Sequence, residues 1–362
     1  MNSMILAGVA SVLLTSALAG AGTPTHEYKV LPPITRENLS LFPIVGGTEA
    51  NTAPLLTLDE GVRSGAVVVT EAGSLQGLVR PPTHYQRNTG GEANRLLLVN
   101  NSDRPLLLLA GEVVTGGKQD RVIGLDRIVP AKSDPIDLSV FCVEPGRWVA
   151  STEHFGSMGS AMAQPSVRMP AMAARDQMQV WNHVASANAG IANAAPQAAP
   201  AIGGTTSYAK VMQNPEVEKK VASVAANYDG LLHELRKVGA KGVVVAVNGR
   251  ITWADVFAST DLLEKYWQKL IRSYAAESLT DAGTGAQADQ KSAQAFLDQV
   301  QGTREVSETE PGVFRRTEIT GDGYKVFTLN SLWRKEDYTV HLAKMSYKEV
   351  MFPDVRPLER VR

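Results

Sequence analysis

Short apolar runs punctuated by Gly, Pro and Asn fill the front of the chain, at residues 39–45, 66–70, 96–99, 106–109, 122–128 and 136–143. Runs this short and this rich in Leu, Ile and Val predict β-strands. Asn100, Asn101, Ser102 and Asp103 divide the run at 96–99 from the Pro105-led run at 106–109, a spacing and composition that predict a hairpin loop. The runs are continuous rather than alternating, so their strands need cover on both faces. A front half of mostly antiparallel sheet is expected, built as a sandwich or barrel and packed by other elements.

After Gly156 the pattern changes, and Met and Ala dominate. Residues 173–191 place Ala174, Met178, Trp181 and Ala185 on one face of an amphipathic helix. Residues 192–204 are Ala, Pro, Gly and Gln without a period, which predicts a poorly ordered, flexible loop. At Asn214-Pro215-Glu216 the amide caps free N–H groups, Pro suits the first turn and Glu complements the dipole, so a helix starts there. It is expected to run to about Val238, because Val217, Val221, Val224, Tyr228, Leu231 and Leu235 recur at helical spacing. Residues 242–247 read as a strand, and Asn248-Gly249 as a type I′ turn into residues 250–253. A further helix, capped by Thr260 or Asp261, buries Leu263, Tyr266, Trp267, Leu270, Ile271 and Tyr274 as core. A short helix at 293–300 and strands at 304–308, 313–319, 324–329 and 339–345 close the chain. The order defines an α+β fold with a leader at 1–19, a β-rich lobe at 26–160, a helix and flexible loop at 161–215, and an α+β lobe at 216–350 that forms one unit with the first.

With 362 residues, 44% of them hydrophobic, the chain can bury one large core or two ordinary ones. Thirty-six basic against 37 acidic residues leave a net charge of -1, too weak a field to hold nucleic acid or an anionic membrane surface. The apolar stretch 5–18, followed by Ala17-Leu18-Ala19 in the small-x-small form, predicts a signal peptide cleaved after Ala19 and an exported mature chain, periplasmic or secreted. That stretch is shorter than the roughly 20 residues that cross a bilayer, so no transmembrane span is expected in the mature chain. Cys142 is the only cysteine, so no intrachain disulfide forms and packing alone must stabilise the fold.

Polar residues concentrate in two places. The first runs Gly111-Glu112, then Gly116-Gly117-Lys118-Gln119-Asp120-Arg121 between apolar strands; paired glycines allow a tight turn or close ligand approach, and Lys118 and Arg121 suit a phosphate or carboxylate. An exposed hairpin tip with solvated charges accounts for the same residues. The second, Glu144-Pro145-Gly146-Arg147-Trp148, ends a strand: Glu144 is a candidate general base or the ion-pair partner of Arg147, and Trp148 a stacking or packing surface. Cys142 alternates with Leu138 and Val140 as a small buried residue. A P-loop fails because Lys118 is followed by Gln119, and Gly156-Ser157-Met158-Gly159-Ser160 misses the nucleophile elbow. His26, His84, His154, His183, His233 and His341 are scattered, as are Asp126, Asp134, Asp137, Asp255 and Asp261, so no metal or cofactor is assigned and structural or solvated roles are expected.

The strings Gly111 to Arg121 and Cys142 to Trp148 resemble the ARG-and-rhodanese-phosphatase-superfamily-associated protein family. Residues 242–257, the helix after them and the closing strands are similar to it too, so the resemblance covers most of the mature chain. The family is named for its genomic company, ADP-ribosylglycohydrolases and rhodanese-like phosphatases, which implies a link to ADP-ribose or phosphate-ester metabolism by association only. Its pattern falls on Glu112, Lys118, Gln119, Arg121, Glu144, Arg147 and Trp148. Two readings are open. In one, Lys118, Gln119, Arg121 and Arg147 hold an anionic small molecule, Glu144 or Glu112 is the catalytic base and Trp148 stacks on a ring. In the other, a non-catalytic envelope protein uses these residues to tie its turns together. An open concave surface favours the first, and mutual satisfaction out of solvent the second.

Overall fold

The computed structural model describes residues 28–71, 95–146, 152, 154–281, 283, 287–310, 312–333 and 336–347; the leader expected at 1–19 lies outside them. The chain opens with β1 (Tyr28–Val30), β2 (Ile34–Arg36), β3 (Leu39–Gly46), β4 (Leu56–Thr57), α1 (Leu58–Arg63) and β5 (Val67–Glu71). The rest of the front half is β6 (Arg95–Asn100), β7 (Leu106–Leu108), β8 (Glu112–Thr115), β9 (Arg121–Ile123), β10 (Arg127–Val129), β11 (Ile136–Cys142) and β12 (Gly156–Met162). Helices α2 (Pro165–Met169), α3 (Gln177–Ala194), α4 (Ala199–Gly203), α5 (Tyr208–Met212), α6 (Pro215–Ala226) and α7 (Leu231–Lys237) follow. The chain closes with β13 (Gly242–Val247), β14 (Arg250–Phe257), α8 (Thr260–Thr280), α9 (Gln290–Asp298), β15 (Thr303–Glu310), β16 (Phe314–Gly321), β17 (Tyr324–Ser331) and β18 (Tyr338–Ser346).

These elements make an α+β protein with three sheets. Strands β12-β8-β9-β11-β6-β5 form an antiparallel sheet. An antiparallel bridge between Thr70 and His154, with the Phe155 N–H donating to the Val69 carbonyl (2.9 Å), brings its two edges together, so it nearly closes into a barrel. A small sheet, β10-β7-β4, carries the parallel pair β4–β7. The nine-stranded sheet runs β1-β3-β13-β14-β18-β17-β16-β15, with β2 alongside β3. It joins the start of the chain to its end, which makes the two expected lobes share a sheet. At the β13–β14 turn Asn248 (φ 51°) and Gly249 (φ 73°) both take the left-handed backbone that a type I′ turn requires.

Helix α8 runs through the middle. Ser259 caps it, accepting from the Leu262 N–H, rather than Thr260 or Asp261. All six residues of its expected apolar face are buried, from Leu263 to Tyr274. They pack against the large sheet through Val243, Val245, Trp253 and Phe257. Its opposite side buries Ala275 and Ala276 against α3 and α6, which leaves a narrow exposed stripe at Asp261, Lys265 and Gln268.

Several local expectations change once tertiary partners exist. The runs at 96–99 and 106–109 do not pair with each other: β6 lies between β5 and β11, while β7 pairs with β10 and β4. Asn100 causes the divergence. Its buried amide donates to the Arg104 and Pro130 carbonyls (2.8 and 3.0 Å) and accepts from the Ser102 N–H and hydroxyl, which folds the loop onto itself and sends the chain into another sheet. The single strand expected at 122–128 is two, β9 and β10, interrupted at residues 124–126, where a Cβ on Gly124 would lie 2.7 Å from the Phe141 ring. The expected loop at 192–204 contains α4 and buries Ala195, Ala198 and Ile202, because small side chains let the backbone approach α3 closely. The helix expected from 214 to 238 breaks at Gly230 (φ 85°) into α6 and α7, although its apolar stripe is as expected. On α3 the buried stripe is Val180, Val184, Ala187 and Ile191, whereas Met178 is 58% exposed, so the expected face is wrong by about a third of a turn at ~100° per residue.

Asn100→Ala should lower unfolding free energy by about 1–3 kcal/mol, since several buried backbone groups lose their partner. Denaturant melts of parent and variant measure it.

Candidate functional site

The residues singled out in the sequence occupy different environments. Glu112 opens β8 and is fully buried. Its Oε2 accepts from the Leu109 N–H (2.9 Å) and its Oε1 meets Lys269 Nζ of α8 at 2.5 Å. The same ammonium reaches Asp59 of α1 at 2.9 Å. Burial works to discharge Lys269, but these two carboxylates outweigh it and hold its pKa above the ordinary lysine value. Lys118, by contrast, is exposed at the tip of the β8–β9 turn, where its N–H donates to Glu71 Oε1 (2.6 Å). Asp120 closes this turn from within: its Oδ1 accepts from the Gly116 N–H (3.1 Å) and its Oδ2 from the Ser207 hydroxyl (3.1 Å). Two of the turn's N–H groups, those of Gly116 and Lys118, are thus directed at the protein's own carboxylates, and that of Gly117 at the Thr152 hydroxyl.

Gln119, Arg121 and Glu144 are buried as well. Glu144 accepts from the Asp120 N–H (3.3 Å) and pairs with Lys210 of α5 at 3.5 Å, so the turn after β11 is docked to α5. Arg147 and Trp148 lie outside the described residues. Cys142 is buried as expected, its backbone bonded both ways to the Gln177 amide (2.9 Å each), and burial pushes its thiol pKa up. Glu112 and Glu144 therefore belong to separate ionic clusters.

A larger buried assembly comes from residues the sequence scattered. Arg168 of α2 makes a bidentate pair with Asp255 of β14, both N···O distances 3.0 Å. Tyr274 of α8 donates to the same carboxylate, and His341 Nε2 of β18 lies 3.2 Å from it. On its other side His341 Nδ1 lies 2.6 Å from Asp126 Oδ2, in the break between β9 and β10. Asp126 Oδ1 accepts from the Ala110 N–H (2.7 Å). Arg168 also stacks on Trp253, with 4.4 Å from its guanidinium carbon to the ring centroid. Burial opposes the imidazolium, yet Asp126 and Asp255 outweigh that and raise the His341 pKa to about 9. Burial likewise opposes ionisation of Asp255, but Arg168 and then His341 hold its carboxyl far below the ordinary range. Asp126⁻, His341⁺, Asp255⁻ and Arg168⁺ form a chain of alternating charge.

The Asp126 end of this chain reaches a cavity. A cleft of about 230 Å³ opens between β15–β17 and the turn after α2. Leu125, Met172 and Phe327 give it an apolar floor, while Asp126, Arg175, Arg316, Glu318, Thr317 and Thr328 supply polar groups. Arg175 ends a π turn over Pro170–Ala174 in left-handed backbone (φ 52°) and pairs with Glu318 at 2.6 Å. Lys325 reaches the same carboxylate at 2.6 Å. The cleft lining carries Arg175 and Arg316 with Asp126, Glu305 and Glu318, backed by Lys325 beside Glu318 and by His341 beside Asp126.

Gly111 connects the two buried clusters. Its φ is 98°, and a Cβ there would lie 2.6 Å from the Arg168 side chain, so only glycine lets Glu112 and Arg168 occupy neighbouring slots. The sequence reading flagged Gly111 and Glu112, took Asp126, Asp255 and His341 as scattered residues with structural or solvated roles, and did not single out Arg168 or Lys269. A signal was available: Asp255 sits in Trp253–Phe257 and His341 in an equally apolar strand, and a charge inside a fully buried run must find a partner. No helix of the described residues is long and apolar enough to cross a membrane.

The fold and site define a class: an α+β protein whose near-closed barrel and large antiparallel sheet meet on a buried ionic chain. The chain belongs to the ARPP-1 family, the ARG and Rhodanese-Phosphatase-superfamily-associated Protein domain, whose model matches residues 27–345. No curated protein and no solved structure matches it.

Lys269→Met should cost about 3–5 kcal/mol by leaving Glu112 and Asp59 without their cation, and adding Glu112→Gln should recover part of it. Denaturant unfolding of the single and double variants gives both numbers. His341 is charged in the folded protein up to pH about 9 but loses its proton near 6.5 when unfolded, so its contribution is complete below pH 6.5 and vanishes as pH rises through about 9. Lys344, whose pKa burial lowers to about 7, acts in the opposite sense over part of that window. The stability difference between parent and His341→Gln, rather than the parent's own profile, should therefore shrink between pH 6.5 and 9.

Proposed function

We propose that this is an exported protein that binds a small anionic molecule, of the phosphate-ester kind, in the cleft beside Asp126. The observation that carries this reading is the cleft itself, where a fixed buried charge network meets an opening that holds Arg175 and Arg316. The guanidinium groups of Arg175 and Arg316 suit phosphate or carboxylate geometry. Its volume, about 230 Å³, is below the roughly 300–1,000 Å³ of sites for drug-sized ligands, so a compact ester or one end of a larger molecule such as ADP-ribose is the fitting occupant. The family's association with phosphatases agrees with that chemistry. Export rests on the apolar leader and its Ala17-Leu18-Ala19 site. In this reading Glu112, Glu144 and Arg121 hold the fold around the cleft.

A second reading keeps the ligand on the β8–β9 turn, at Lys118, Gln119, Arg121, Arg147 and Trp148, with Glu112 or Glu144 as base. One observation favours it: the Gln119 amide is fully buried, and neither of its polar atoms meets a hydrogen-bond partner among the described residues.

Titration calorimetry with inorganic phosphate and ADP-ribose separates the two. Arg316→Met and Arg175→Met should each weaken binding about tenfold or more, with Lys118→Ala near parental. The reverse ranking moves the site to the turn, and no heat with either probe removes both readings.

A further inference from the structure

We infer that α9 is a cover over the edge strand β1 that acid releases, and that Lys344 of β18 is the group that controls it. Strand β1 ends the nine-stranded sheet, and α9 supplies hydrogen bonds to its outer edge. Gln294 Oε1 accepts from the Val30 N–H (2.7 Å), its Nε2 donates to the Tyr28 carbonyl (3.1 Å), and Gln290 Nε2 donates to the Val30 carbonyl (2.8 Å). Two side-chain amides thus stand where another strand would pair. The apolar contact of this helix is small, since Ala293 and Leu297 are its buried residues. Polar ties therefore carry much of its docking, which places it at the low-stability end of the fold.

Lys344 makes the tie at the other end of the helix. Its side chain is buried, and its Nζ donates to the carbonyls of Phe296 and Gln299, where α9 ends and backbone acceptors lack intrahelical partners. The Phe296 and Tyr324 rings flank the nitrogen, with centroids at 4.7 and 4.3 Å. Neighbouring strands place Ala254 of β14 and Val326 of β17 opposite it. The titratable groups that face it are Asp298 of α9 and Tyr324 of β17, and among the described residues no carboxylate forms an ion pair with it.

This slot suits an amine better than an ammonium. A neutral amine has two N–H groups for the two carbonyls. An ammonium has a third, which meets only ring faces, and it must leave water without a paired counter-ion. The rings and the helix C-terminus attract a cation and offset part of that cost. Burial prevails over the opposing pull of Asp298 and lowers the Lys344 pKa to about 7. Once α9 lifts, the nitrogen returns to water, where a lysine has a pKa of about 10.4. Between these values the released form holds a proton that the covered form lacks, so each unit of acidification favours release about tenfold. Below the lower value both forms hold the proton, and the cover is at its weakest. Release frees the backbone groups of Tyr28 and Val30, an edge able to take another strand.

Amide hydrogen exchange, corrected for the intrinsic rate at each pH, reads the opening of α9. In the parent, protection of its amides should rise about tenfold per unit from pH 7 to 9, whereas in Lys344→Met, which cannot titrate, it should be level over that range. NMR titration of the Lys344 Cε signal in the parent needs no variant and should give a midpoint near 7. Level protection of α9 in the parent, an equal rise in Lys344→Met, or a Lys344 midpoint at the ordinary lysine value each overturns the inference. All three readouts are independent of any ligand in the cleft, so the anion reading stands or falls separately.

Discussion

Asp255 sits inside the nine-stranded sheet, on β14 with β13 on one side and β18 on the other, and has no exposed surface. An isolated carboxylate there would cost far more than any fold of this size could offset, so it can be ionised only where cations and donors converge on it. Arg168 must come from α2, His341 from β18 and Tyr274 from α8. Those requirements set the position of α2 against the sheet, the rotation of α8 and the register of β18. Asp126 is then drawn to the far side of His341, which places the break between β9 and β10 beside the large sheet. One charge in one strand therefore relates the barrel, the sheet and the helical layer.

A buried ion network of this kind is weak evidence for added stability, since well-packed apolar residues often do as well. What it supplies is uniqueness of arrangement and a fixed electrostatic state at its open end. The second cluster joins Glu112 with Lys269 and Asp59. The two clusters are separated by Gly111, whose missing Cβ admits the Arg168 side chain. Gly111 and Glu112, the start of the polar motif that stands out in the sequence, thus work as the joint between β8, α8 and α2.

The fold was largely legible from local pattern. The closing strands, the Asn248-Gly249 turn and the apolar face of α8 follow from periodicity and turn chemistry that operate within a few residues. Departures occurred where a distant partner decided the outcome: Asn100 folds its loop onto itself and separates β6 from β7, and the alanines of 192–204 gain order only by packing on α3. The site was less legible. Glu112 and Glu144 were visible as charges near glycines, but their separation into different clusters depends on Lys269 and Lys210, each on a helix far along the chain.

By itself the sequence determined an α+β protein with an antiparallel barrel-like front, a central amphipathic helix, no intrachain disulfide and family membership, because each of these depends on composition or on short-range spacing. Only the tertiary structure decided which charges meet. Asp126, Arg168, Asp255, Tyr274 and His341 are spread over more than two hundred residues, and no spacing rule connects them. Their association comes from burial: once the sheet and α8 exclude water, each charge has to be matched by whichever partner the topology brings within reach.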